Sequence, residues 1–205
     1  ATGAGGLSEV SITNPTAMAV YRTWIPGGEE RVAVTDVFVQ SSRAYLADSL
    51  YGIRVLDVSD VPNQIAGLAT EGTAMRITQS MPSTAPNNAF VSDGGGGLLM
   101  LNVFNPQPSL IRSIQTGDAF VDAAFRGNTL FAAGRQSGLW ILNRQAATLT
   151  DIPVLVHVDT LEYCQGVAVR DTLLLVSNGP HGVKVMSVRN PQSPRVLANI
   201  LVTDE

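Results

Sequence analysis

Apolar and polar positions alternate in short bursts along this chain, and the bursts recur. A seven-residue phrase opening on glycine appears five times: Gly6-Leu7-Ser8-Glu9-Val10-Ser11-Ile12, Gly52-Ile53-Arg54-Val55-Leu56-Asp57-Val58, Gly97-Leu98-Leu99-Met100-Leu101-Asn102-Val103, Gly138-Leu139-Trp140-Ile141-Leu142-Asn143-Arg144 and Gly182-Val183-Lys184-Val185-Met186-Ser187-Val188. Successive starts lie 46, 45, 41 and 44 residues apart. Upstream of four of these glycines stands a second apolar phrase ending on a turn-former: Ala44 to Asp48, Ala89 to Asp93, Leu130 to Gly134 and Leu174 to Asn178. The gap from turn-former to glycine is the same in each copy, which predicts a β-hairpin of fixed register. A Pro-marked turn follows the glycine phrase at Pro15, Pro62, Pro106 and Pro191, and the apolar run after it ends at Thr23, Thr70, Thr116, Thr160 and Thr203. Before each hairpin a further apolar run covers Val34 to Val39, Ala74 to Gln79, Phe120 to Phe125 or Cys164 to Val169.

Each repeat thus supplies four short strands, a to d from inside to outside, and Gly or Pro breaks any longer helical period. A repeat of this length that cannot bury its own faces predicts an all-β fold, a β-propeller of four-stranded blades with almost no helix. Four full blades are expected at approximately 32–70, 74–116, 119–160 and 163–203, after an N-terminal half-blade at 7–23 that holds only a c and a d strand. Residues 1–205 form a single propeller domain or a propeller fragment: either the half-blade closes a five-bladed ring, or the blades are part of a larger propeller made by a longer chain or by several chains. Sheet edges are normally covered, which favours the second.

The pattern Ala-Tyr-Leu-Ala-Asp, three residues, Gly-Ile-x-Val-Leu-Asp-Val-Ser-Asp and then Pro resembles the LVIVD repeat of bacterial and archaeal β-propellers, over roughly residues 32 to 203. The resemblance implies a propeller that is secreted, at the cell surface or periplasmic, often part of a larger polypeptide, and without an assigned catalytic residue.

Composition narrows the partners. Hydrophobic residues make up 45% and charged residues 15% of the 205, as expected for buried sheets. With a net charge of −4 and Lys184 as the sole lysine, the chain has no basic footprint for nucleic acid. No run reaches the length of a membrane span. Cys164 is the only cysteine, so neither an intrachain disulfide nor a cysteine-rich metal site can form.

The connections at one mouth of the central channel predict a partner-binding rim of Asp48, Asp93, Glu71, Asp118, Glu162 and His181, with Glu29 and Glu30 nearby. Asp36, Arg76, Asp122 and Gly166 occupy matching strand-a positions, so the three charged side chains are candidates for the channel mouth and for a cation, calcium being the one that carboxylates would take. Against that stands the ordinary use of Asp and Asn in hairpin turns. Trp140 fills the variable third position of the glycine phrase and is either an exposed interface anchor or packing against the next blade. The Pro-bearing segment Met81 to Asn88 reads as a partner loop. Neither a zinc-protease helix motif nor a nucleophile elbow is present, and the four glycines after Asp93 lack the Lys-Ser or Lys-Thr of a phosphate loop. The expectation is therefore an exported interaction or scaffold module that binds a protein partner or the remainder of a larger chain, with no cofactor identified. The alternatives are an enzyme or cation-binding propeller using the acidic mouth, and an accessory subunit of an extracellular or periplasmic redox assembly.

Overall fold

The computed structural model describes residues 1–26, 31–79, 88–115, 119–143, 153–161 and 163–201. They form an all-β chain of four four-stranded antiparallel sheets and one two-stranded sheet. The two-stranded sheet pairs β1 (Leu7–Ser11) with β2 (Ala19–Trp24). The first full blade holds β3 (Val34–Gln40), β4 (Arg43–Asp48), β5 (Gly52–Asp57) and β6 (Asn63–Ala69), and the second holds β7 (Arg76–Gln79), β8 (Asn88–Ser92), β9 (Leu98–Asn102) and β10 (Ser109–Ile114). The third runs through β11 (Asp122–Arg126), β12 (Thr129–Ala133), β13 (Leu139–Asn143) and β14 (Val154–Val158), and the fourth through β15 (Cys164–Arg170), β16 (Leu173–Asn178), β17 (Val183–Ser187) and β18 (Arg195–Ile200). Helix among the described residues is confined to one 3-10 turn, Gly179–His181.

Each sheet runs in chain order from its inner to its outer strand, so hairpin chemistry sets the topology locally. The five repeat glycines have φ of 72, 118, 93, 78 and 74° at Gly6, Gly52, Gly97, Gly138 and Gly182, the region where a side chain is disfavoured. A β-bulge recurs at one place in all five c–d pairings, at Glu9/Val10, Val55/Leu56, Leu110/Arg112, Ile141/Leu142 and Val185/Met186. It gives each blade the extra twist that lets the next one pack against it. The inner strands of the second and third blades begin two residues later than their apolar runs, at Arg76 and Asp122. In β3 and β15 the same point carries a bulge, at Val34/Asp36 and Cys164/Gly166.

Inner strands β3, β7, β11 and β15 stand side by side, and the apolar cores lie between consecutive blades. Leu7, Trp24, Val34, Leu46 and Leu56 join the half-blade to the first blade; Tyr45, Ile53, Ile77 and Leu101 join the first to the second; Phe90, Leu98, Phe120 and Leu130 join the second to the third; Phe131, Leu139, Val167 and Leu174 join the third to the fourth. Among the described residues no shared core joins the fourth blade to the half-blade.

Candidate functional site: inner ties, turns and end faces

The strand-a positions meet as the repeat alignment requires. Asp36 Oδ2 accepts the backbone N–H of Ile77 at 3.0 Å, and Asp122 Oδ2 accepts that of Val167 at 2.9 Å, so a carboxylate of one inner strand holds the next. Arg76 lies between the two: its Nε donates to Asp122 Oδ1 at 2.9 Å and stands 3.7 Å from Asp36 Oδ2. The expected acidic mouth is thus an Asp–Arg–Asp ladder in which a guanidinium already supplies the positive charge. Its side chain is 51% exposed, so the contribution to stability is that of a wet ion pair, below about 1 kcal/mol. Among the described residues no group of three His, Cys, Asp or Glu side chains is arranged to hold a metal ion.

The rim differs from its sequence reading at two named positions. Asp48 and Asp93 are fully buried, and their oxygens are engaged by neighbouring groups of the chain itself. Asp48 Oδ1 accepts the N–H groups of Ala33 and Leu50, both at 3.0 Å, and Oδ2 accepts Arg54 Nε at 2.6 Å. Asp93 accepts the Thr70 hydroxyl at 2.6 Å and the Gly72 N–H at 2.9 Å. Burial pushes its carboxyl above the usual range, and those two hydrogen bonds oppose the shift. Asn178 Oδ1 accepts the N–H of Tyr163 at 3.2 Å. In these three blades the residue that ends or directly follows strand b anchors the segment that enters strand a, which is why the sequence keeps a short acceptor there. Arg54, its buried partner, was not a candidate in the sequence. It is 1% exposed, lies over the Tyr51 ring at 4.3 Å and donates to Gln64 Oε1 at 3.0 Å. The available signal was its place in the glycine phrase, two residues after Gly52, which pairs with Asp48 across the hairpin.

Trp140 is packed, not presented. Its ring stacks on His157 at 3.9 Å, meets Phe120 edge-on at 6.2 Å and donates from Nε1 to Ser137 Oγ at 3.2 Å. His157 in turn bonds to the Ser137 carbonyl. His181 and Glu71 are exposed. His181, with Thr160, Asn178, Lys184, Asn199 and Leu201, lines a groove of about 390 Å³ between the third and fourth blades. Asp118, Glu162, Glu29, Glu30 and residues 81–87 lie outside the described residues. Cys164 is buried, and burial pushes its thiol up to about 12, which removes it as a nucleophile at neutral pH.

Alternation within a strand could not reveal the end faces. Tyr45, Phe90 and Phe131 occupy one repeat position and point to the following blade, exposed by only 1%, 0% and 0%. At the same position of the fourth blade Leu175 is 44% exposed, with Leu173 and Ile200 beside it on the sheet at 46% and 53%. Leu173-Leu174-Leu175-Val176 reads as a strand covered on both faces, and one face is bare.

No protein-family profile matches the chain, and no curated protein matches it. Among solved structures it resembles propellers. Sqt1 of Chaetomium thermophilum, bound to the N-terminus of the ribosomal protein L10, is 12% identical with a TM-score of 0.72 over 98% of this chain and 57% of that one. The Cps50 (Swd1) β-propeller domain of Myceliophteria thermophila is 10% identical with a TM-score of 0.67 over 90% and 64%. The computationally designed Ika8 protein is 11% identical with a TM-score of 0.60 over 84% and 53%. At these identities the likeness is one of fold, and this chain spans between half and two thirds of the length of those three.

Proposed function

We propose that the chain is an exported β-propeller interaction module that holds a protein partner, or the remainder of a larger polypeptide, and has no catalytic activity of its own. One observation carries the reading: the fourth blade ends in an apolar sheet face, Leu173, Leu175 and Ile200, built like the faces that the other blades bury. The polar candidates support it from the other side, since Asp36, Arg76, Asp122, Asp48 and Asp93 are engaged with one another or with their own backbone. A propeller neighbour bound to a segment of another protein fits the same reading, as does the LVIVD-like repeat, on which the exported location rests.

Cross-linking in source cells tests it. The wild-type chain is expected to cross-link to one defined polypeptide, and Leu175→Asp to lose that product while its melting temperature stays unchanged. An identical cross-linking pattern for both chains overturns the interaction reading. Recovery of the chain only in the cytoplasmic fraction of source cells overturns the exported location.

A further inference from the structure

One position of the repeat, the third residue of the glycine phrase, is occupied differently in each full blade. It pairs with strand d through Arg54 and Gly67, Leu99 and Ser113, Trp140 and His157, and Lys184 and Asn199. In the first blade a charge pair fills the place: Arg54, 1% exposed, donates to Asp48 Oδ2 at 2.6 Å, and its guanidinium lies over the Tyr51 ring. In the third blade an indole fills it, Trp140 stacked on His157. In the second blade the smaller Leu99 leaves a pocket of about 180 Å³ against the first blade, with Thr70 and Asp93 in its wall.

The fourth copy is wider, the groove of about 390 Å³ between the third and fourth blades. Thr160, Asn178 and Lys184 line it where the second blade has Thr70, Asp93 and Leu99. Its chemistry is reversed. The first blade sets a carboxylate beside its cation, and the second sets a carboxylate on the Thr70 hydroxyl. The fourth keeps a cation, the only lysine of the chain, and has an amide in place of the carboxylate. Asn178 is 3% exposed; its Oδ1 accepts the Tyr163 N–H, while its Nδ2 makes no hydrogen bond among the described residues. Lys184 Nζ donates to Asn199 Oδ1 at 3.3 Å, and none of the described residues that line the groove is acidic.

We infer that this groove binds a small hydroxylated carboxylate, up to a sugar acid in size. The ligand's carboxylate takes the part that Asp48 plays beside Arg54: Lys184 supplies the charge, and the buried Asn178 amide supplies a donor. Thr160 and Asn199 offer a hydroxyl and an amide to the ligand's hydroxyl groups. The volume lies in the range of about 300–1,000 Å³ that small-molecule sites occupy, with a few polar groups converging on a concave wall. One ammonium and one side-chain amide suit a singly charged carboxylate, whereas phosphate is held by planar forks or by several backbone N–H groups.

The inference goes beyond the interaction reading. Lys184 pairs with Val176 on the face of the fourth blade that meets the third, opposite the face of Leu175, so either reading can fail while the other stands. D-Glucuronate and D-glucose are titrated into the full chain by calorimetry at fixed ionic strength. Saturable binding of glucuronate with a Kd below about 10 mM is expected, and binding of glucose weaker by about ten-fold or more. Lys184→Met, which puts an apolar side chain where the second blade has Leu99, is expected to weaken glucuronate about ten-fold or more at an unchanged melting temperature. Asn178→Asp, which restores the carboxylate of Asp48 and Asp93, is expected to exclude glucuronate while melting no lower than wild type. The comparison of the two sugars in the wild-type chain decides even where a variant unfolds. No saturation by glucuronate below about 10 mM overturns the inference, as does equal binding of glucose or undiminished binding by folded Lys184→Met. Tighter binding of inorganic phosphate than of glucuronate assigns the groove to another anion and overturns it too.

Discussion

At the scale of single residues, Gly138 and Asp93 show how tightly each hairpin is specified. Gly138 has φ of 78°, and a Cβ there would overlap the Val158 carbonyl oxygen of the facing outer strand. Gly138→Val is therefore expected to lose about 1–3 kcal/mol in denaturant unfolding. An unchanged midpoint would mean that the turn relaxes without cost. Asp93 leads to a pH prediction. Its folded carboxyl is held above the ordinary value by burial, so the native state binds the proton more tightly than the unfolded chain does. Its contribution favours folding at low pH, and that advantage is lost as pH rises from the unfolded value through the raised folded one. Asp93→Asn, which copies the acceptor that the fourth blade has at Asn178, should melt no lower than wild type at pH 7, and its melting temperature should vary less with pH across the acid range. A variant with the same pH profile as wild type would place the titration elsewhere.

At the scale of strands and hairpins, Arg76 decides the character of the channel mouth. It faces carboxylates of both neighbouring inner strands, so Arg76→Met leaves Asp36 and Asp122 without the charge between them. The expected result is a loss below about 1 kcal/mol together with a calcium-dependent rise in melting temperature that wild type lacks. A variant indifferent to calcium would show that the two carboxylates do not converge without the guanidinium. Much of this element was legible in the sequence. Matching Asp36, Arg76, Asp122 and Gly166 across repeats placed them in one layer, because strand register follows the hairpin turns. The contacts themselves were not legible, since they depend on how far each inner strand is offset from the next, and bulges set that offset. Asp48 and Asp93 were misread for a related reason. A turn-former looks alike in sequence whether it faces water or caps the strand beside it.

At the scale of the molecule, the four-strand repeats and their strand order could be read because every pairing within a blade is between neighbours in sequence. Which faces stay bare could not, because Leu175 and Phe131 sit in equally apolar strands and differ only in what lies beyond them. The inter-blade ties repeat that nearest-neighbour logic: Arg43 reaches Phe104 O at 3.1 Å, Asp36 holds Ile77, Asp122 holds Val167, and Arg126 reaches Asp171 O at 2.9 Å, each joining a blade to the one after it. Among the described residues these ties run between neighbouring blades, as they do in a stacked array of repeats. Because each blade pairs within itself, a blade can dock on the one before it as soon as it has left the ribosome. Loss of structure in the 205-residue chain is expected to run the other way: the half-blade and the fourth blade, each packed on one neighbour among the described residues, detach before the middle ones, and relaxation after a denaturant jump divides into several exponential phases instead of one.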